Sequence, residues 1–325
     1  MERKCVMLLA SLASLVVWPC VPAFADSPFG WVDEDGALKL LCNDRPVLQY
    51  NYGVVEPPEG VGRAFARNAY MHPVWNPAGR VVSGDFPRDH YHQRGVFFAW
   101  VKTEFGDLHP DFWNLGKLTG RIWFQQLPIR FAEEEAAGFV AEHQWQARRG
   151  EEWVPVLNET WRVTVHAPQE DQPEHWVFDL TSEQECATDT PLVLPQHYYG
   201  GMCYRGHDDW IDAREAVWAL TSEGRQRAEA NETNARWCCM GGPLEGGWGG
   251  VTIMDHPRNP RHPNRVRVHP RYPFFIYVLP QAESYTIEPG ERLVLRYRFL
   301  IHSRQPDAAA LEQAWQEFAG STAPE

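Results

Sequence analysis

Short runs rich in Val, Ile, Phe, Trp and Tyr recur along this chain between turn residues. They fall at Ala37–Leu41, Val96–Val101, Arg121–Phe131, Gly138–Ala147, Trp153–His166, His175–Leu180, Gly250–Met254, Pro273–Leu279 and Arg292–His302. Several alternate with a period of two, as in Trp161-Arg162-Val163-Thr164-Val165-His166, the pattern of a half-buried strand. The 25 glycines and 26 prolines are too many breaks for a helical protein. One segment differs: Asp307 can cap a helix over Ala308–Phe318, where apolar residues take helical spacing. No strand–helix alternation is visible, which disfavours a parallel sheet. The expected fold is all-β, a large antiparallel β-sandwich with a short C-terminal helix. No repeat, linker or low-complexity segment divides it, so residues 26–325 are expected to form a single domain.

The N-terminus changes the picture of where this domain works. Arg3 and Lys4 precede the apolar stretch Cys5–Val21, and Ala23-Phe24-Ala25 is a small-x-small cleavage site. Pro19 and Pro22 break that stretch. These are the parts of a cleaved signal peptide over residues 1–25, and they predict export to a periplasmic or extracellular compartment. No later apolar run approaches the ~20 residues of a membrane helix, so membrane insertion is not expected. The formal charge of −13, with no basic run, argues against nucleic acid as a partner. Of seven cysteines, Cys42, Cys186, Cys203, Cys238 and Cys239 lie beyond the signal. None forms a CxxC pair, so a zinc–thiolate site is not expected, while one disulfide is possible.

Candidate chemistry gathers in three places. The densest is His72-Pro73 followed by Asp85-Phe86-Pro87-Arg88-Asp89-His90-Tyr91-His92-Gln93-Arg94-Gly95, a broken loop just before an apolar strand. Loops at the mouth of a rigid sheet often carry function. In an extended stretch His90 and His92 would point one way and Asp89 the other. Neutral imidazole near a carboxylate suits proton transfer. His72, His90 and His92 could instead hold a divalent metal. The second place is Asp255-His256-Pro257-Arg258-Asn259-Pro260-Arg261-His262-Pro263, stiffened by prolines. Asp255, His256 and Arg261 are expected to meet the first cluster across the sheet. The third is Gln196-His197-Tyr198-Tyr199-Gly200-Gly201, with Arg205 placed to hold substrate oxygens; the paired glycines allow close backbone approach to a ligand or form only a bulge.

Glu159 alternates with Trp161 and so shares its face, the furniture of many sugar sites, although a solvated outer face explains it almost as well. Of the 15 tryptophans most are expected in the core, with Trp113 the first choice for a cleft. There is no GxSxG, P-loop, GxGxxG after a strand or HExxH, which removes serine-hydrolase, kinase, dinucleotide and zincin readings.

These clusters, in this order, resemble the PmoA-like family, common in planctomycetes and related bacteria and often labelled "methane oxygenase PmoA". Besides His72-Pro73 and the segments 85–95 and 255–263, the resemblance is carried by Asp111-Phe112-Trp113, Tyr199-Gly200-Gly201 and the closing strand Pro289–Arg298. It runs over most of residues 40–303. Gln93 departs from it, since a second histidine more often follows there, and this puts a triple-histidine metal site in doubt. The absence of a tryptophan soon after the proline run, at Val266-Arg267-Val268, is a second departure. The label conflicts with a chain that has no spans after its signal, so methane oxidation is not expected. The family resembles the galactose-mutarotase type of supersandwich, which implies a sugar ligand and a histidine acid with a carboxylate base.

The expectation is therefore an exported carbohydrate-active protein, a hydrolase, lyase or epimerase. His90, His92, Asp89 and His256 would be catalytic; His72, Arg94, Trp113, Glu159, Arg205, Asp255 and Arg261 would bind substrate; no cofactor is predicted. Two alternatives stay open: a non-catalytic glycan-binding protein, and a metal-dependent enzyme using His72, His90 and His92.

Overall fold

The computed structural model describes residues 27–170 and 173–321, so the expected signal segment and Asp26 lie outside the described residues. Nine strands form the first sheet. Their spatial order is β1 (Phe29–Glu34), β2 (Ala37–Cys42), β3 (Arg45–Asn51), β4 (Tyr70–Val74), β5 (Val96–Ala99), β11 (Gly201–Arg205), β17 (Phe274–Val278), β16 (Arg265–Val268) and β13 (Thr233–Asn234). Eight form the second: β12 (Trp218–Thr221), β14 (Trp237–Leu244), β15 (Gly247–Asp255), β19 (Arg292–His302), β9 (His175–Cys186), β8 (Glu152–His166), β7 (Ala136–Arg149) and β6 (Gly120–Ala132). A ribbon pairs β10 (Leu192–Leu194) with β18 (Tyr285–Ile287). Neighbouring strands run antiparallel, and the molecule is the all-β sandwich that the alternation predicts.

The sheets meet face to face. Tyr50 on β3 stacks on Phe139 of β7 at 4.8 Å, Phe98 on β5 meets the edge of Trp145 on β7, and the Tyr277 hydroxyl on β17 donates to the Ile253 carbonyl on β15. One apolar cluster runs through both sheets. The period of two is visible on β14: Cys238 and Met240 enter that main core, while Trp237 and Cys239 face the opposite side. There they pack under α2 (Ala308–Gly320), which follows the one-turn α1 (Arg227–Ala230). Asp307 caps α2 by accepting from the amides of Ala309 and Ala310. Burial of Leu311 and Phe318 holds it down, each contributing about 1.5–3 kcal/mol.

Strands β5, β11 and β17 are buried along their whole length. Strands covered on both faces lose the alternation that marks half-buried ones, which is why β11 escapes a reading by period. Gly200-Gly201 turns out to serve strand packing. Gly201 has φ +135°, and a Cβ there would lie 2.1 Å from the Tyr277 carbonyl oxygen; only glycine lets β11 lie so close to β17. All five described cysteines are free, so the possible disulfide is not formed. No helix among the described residues is long and apolar enough to cross a membrane.

Candidate active site

The segment before β5 is not extended. The His90 amide donates to the Pro87 carbonyl and the Gln93 amide to the His90 carbonyl, both at 2.9 Å, so two tight turns follow each other. They turn Asp89 back onto its neighbour instead of to the opposite face. Its Oδ2 lies 2.9 Å from His90 Nδ1. From the end of β11, Arg205 Nη1 and Nη2 donate to the same carboxylate at 3.0 and 2.7 Å, and Nη1 also donates to Gln93 Oε1 at 2.9 Å. The Arg205 side chain is wholly buried. Burial alone would raise the Asp89 carboxyl, but the hydrogen bonds and charges of His90 and Arg205 outweigh it and hold the group well below the usual carboxylate range. An ionised acceptor at Nδ1 fixes a proton there, so Nε2 is the working nitrogen of His90. It has no hydrogen-bond partner among the described residues.

His90 lines a pocket of about 260 Å³ together with His92, Trp113, Tyr199, Arg267 and His269. The far wall is built by Asp111. Its Oδ1 accepts from the amides of Trp113 and Asn114, and its Oδ2 from Asn114 Nδ2 and Lys117 Nζ. This local turn seats Trp113 against Phe97 at 4.8 Å and the edge of Tyr199 at 5.5 Å. Arg267 and His269 come from β16 and its end, where Val266 and Val268 face the core while Arg267 and His269 face the pocket. The Arg267 guanidinium sits 4.7 Å over the Tyr198 ring. His90 is 5.5 Å from His92 and 6.4 Å from His269, centroid to centroid. Burial, then the charge of His90, lowers His92 to about 3. Burial, then the charges of Arg267 and His90, lowers His269 to about 4. Both are therefore neutral imidazoles between pH 5 and 8.

The other candidates go elsewhere. His72 faces Ser83, with Nδ1 2.9 Å from its hydroxyl, and does not join His90 and His92. Among the described residues no group of three His, Cys, Asp or Glu is placed to hold a metal ion, so the His72–His90–His92 set does not form. Arg94 is wholly buried, with Nη1 donating to Asp85 and Nη2 to the Phe65 carbonyl. Arg205 is likewise committed to Asp89, so neither arginine is free to hold substrate oxygens. Trp113 does border the pocket from a loop, as expected, but it is 1% exposed and packed in the core.

Glu159 is in neither a cleft nor a solvated face. It lies between the sheets and accepts from Trp145, Trp161, Ser182 and Gln184, with His143 Nδ1 at 3.1 Å and Tyr50 behind that ring. Glu159 and Trp161 do share a face, but it is the inner one. The second cluster is also structural. Asp255 accepts from Asn259, Asn264 and His262; His256 packs on Phe318; Arg261 ties down the carbonyls of Leu279, Glu283 and Ser284. Asn264 and His269 flank β16 at opposite ends, roughly 16 Å apart at 3.3 Å per residue. Asp255, His256 and Arg261 therefore never reach His90. Arg267, His269 and Asn114 also line the pocket and were not among the expected site residues, while Tyr198 comes from the third segment. Arg265-Val266-Arg267-Val268-His269 alternates with a period of two, a signal that was present for Arg267 and His269.

Residues 37–316 match the model of a protein family of unknown function, DUF6807, and the chain belongs to that family. No curated protein matches it. Among solved structures it is similar to the heparan sulfate lyase HepC of Pedobacter heparinus, at 7% identity and a TM-score of 0.36, covering 87% of this chain and 36% of the lyase. It is also similar to a variant GH36 α-galactosidase AgaA of Geobacillus stearothermophilus, at 10% identity and a TM-score of 0.33, covering 85% of this chain and 41% of that one. The chain thus spans little more than a third of the length of these structures.

Proposed function

We propose that this member of DUF6807 is an exported carbohydrate-active enzyme that works by general acid–base chemistry at His90. The observation that carries the reading is the Asp89–Arg205–Gln93 brace. A carboxylate that is gripped by a wholly buried arginine and fixes one ring nitrogen of a pocket histidine prepares the other nitrogen for proton transfer. In this reading Nε2 takes a proton from a sugar hydroxyl or an acidic C–H and returns it later in the cycle. Asp89 offsets the imidazolium charge that forms. Neutral His92 and His269 offer hydrogen bonds, Arg267 faces the oxygen on which negative charge develops, and Tyr198 and Tyr199 lend aromatic surface to sugar C–H groups. At about 260 Å³ the pocket is just below the range for drug-sized ligands, about 300–1,000 Å³, so it suits one sugar ring.

Hydrolysis by paired carboxylates needs two acids flanking the bond. Among the described residues no Asp or Glu lines this pocket, and Asp89 is engaged behind His90. Proton-transfer reactions, a lyase or an epimerase, are therefore favoured over a hydrolase. The test is a proton NMR time course of the purified protein with a panel of glycosides, uronates and keto-sugars. New product or accelerated anomer exchange supports an enzyme. Saturable line broadening with no product across the panel overturns it in favour of a glycan-binding module.

A further inference from the structure

A separate cleft of about 710 Å³ lies beside the histidine pocket. The short turn Leu115–Lys117 divides it from the histidine pocket: Trp113 and Asn114 line the pocket, Leu115 and Leu118 the cleft. Four arginines line it, Arg63, Arg67, Arg121 and Arg148, against a single acid, Glu56. Arg63 pairs with Glu56. The other three have no carboxylate partner among the described residues, in a chain of net charge −13. Arg67 lies at the floor, 4% exposed, and its Nη1 is buried with no hydrogen-bond partner. Arg121 lies 4.7 Å from the Trp123 ring and 4.4 Å from the Trp153 ring, and Arg148 lies 5.4 Å from Trp153. Arg121 Nε is held by Gln146 and Arg148 Nε by the Gly150 carbonyl, which aims two guanidinium forks without using their Nη donors.

Like charges gathered in a half-buried cleft repel each other, and burial weakens their hydration. Burial, then the charge of Arg148, lowers Arg121, and burial, then Arg94, lowers Arg67 to about 10. An anion would relieve both costs. The tryptophan rings between the forks suit the C–H face of a sugar. We infer that this arginine–tryptophan cleft binds an acidic saccharide, through a carboxylate or sulfate held by Arg121 and Arg148. The saccharide part rests on the carbohydrate reading of the histidine pocket; the anion part stands on the arginines.

The test is calorimetric titration of the full-length mature protein with trigalacturonate, a sulfated disaccharide, neutral galactotriose and inorganic sulfate. Trp fluorescence would be followed in parallel. At least one acidic sugar is expected to bind tenfold or more tightly than galactotriose. Arg121→Gln and Arg148→Gln should each weaken it at least tenfold at an unchanged melting temperature, while His90→Gln binds as wild type does. Equal affinity for acidic and neutral sugars, or indifference to both arginine variants, overturns the inference. Inorganic sulfate binding as tightly as the sugars overturns its saccharide part. Turnover of a sugar without arginine-dependent binding of any acidic one would sink this inference and leave the acid–base reading intact. Arginine-dependent binding of an acidic sugar with no turnover of any sugar would do the reverse.

Discussion

Replacing Asp89 with Asn separates the two tasks assigned to that carboxylate. Arg205 is wholly buried and Asp89 nearly so, and two charge-assisted hydrogen bonds at 2.7 and 3.0 Å join them. Asn keeps the shape but leaves the guanidinium without its counter-charge, and breaking a buried pair this way costs about 3–5 kcal/mol. At roughly 2 °C per kcal/mol for a chain of this size, the melting temperature should fall by about 6–10 °C. Activity should fall by about 10²- to 10⁴-fold in kcat, because the amide no longer fixes the His90 tautomer. The double replacement Asp89→Leu/Arg205→Met tells these effects apart. Removing both charges together is often close to neutral for stability, so most of the melting temperature should return while activity stays lost. Circular-dichroism melts and turnover assays on the three proteins decide it. An Asp89→Asn variant that melts within about 2 °C of wild type would refute the reasoning.

Glu159→Gln should cost about 3 kcal/mol, because an amide donor would face the donors of Trp145, Trp161, Ser182 and Gln184. Turnover per folded molecule should be unchanged, as a urea titration beside an activity assay would show. Arg267→Ala should raise KM with little change in melting temperature, because the side chain borders the pocket and its contacts are the Tyr198 ring and a 3.8 Å ion pair with the exposed Glu232, a kind of pair worth about 0–1 kcal/mol. His302, buried against Thr252, is lowered to about 3 by burial and then by His175. Below its unfolded pKa of about 6.5 the unfolded chain takes up a proton that the fold refuses, so stability is lost as pH falls. From pH 6.5 to 5 this one group should cost about 2 kcal/mol. Urea midpoints at pH 7 and 5 should show that loss reduced in His302→Gln.

The fold was most legible in long strands with one wet face, while short ones such as β12 and β16 escaped despite their alternation. Strands β7, β8 and β19 alternate and appear in the sequence nearly at their true bounds, and Asp307 marks its helix. Where both faces are dry, as in β11, the alternation vanishes. The site was half legible. Asp89, His90 and His92 stand out by density, but density cannot tell an arginine that holds substrate from one that holds a carboxylate. That hid the roles of Arg94 and Arg205. The Asp255 cluster misled for the same reason: its polar groups satisfy each other around a proline-stiffened connection. Glu159 shows that a shared face says nothing about which side that face looks to. His269 lay only a strand beyond that cluster, and its alternation with Val266 and Val268 was its one mark.

The central claim is that His90 Nε2 transfers a proton to or from a sugar. Its most direct test is a paired NMR time course of wild type and His90→Gln on the first sugar that reacts, with melting curves beside it. His90 is partly exposed and its one side-chain hydrogen bond is to Asp89. The account predicts at least a 10²-fold loss of turnover, with a melting temperature within about 2 °C of wild type. Turnover retained within a few-fold by His90→Gln would contradict it.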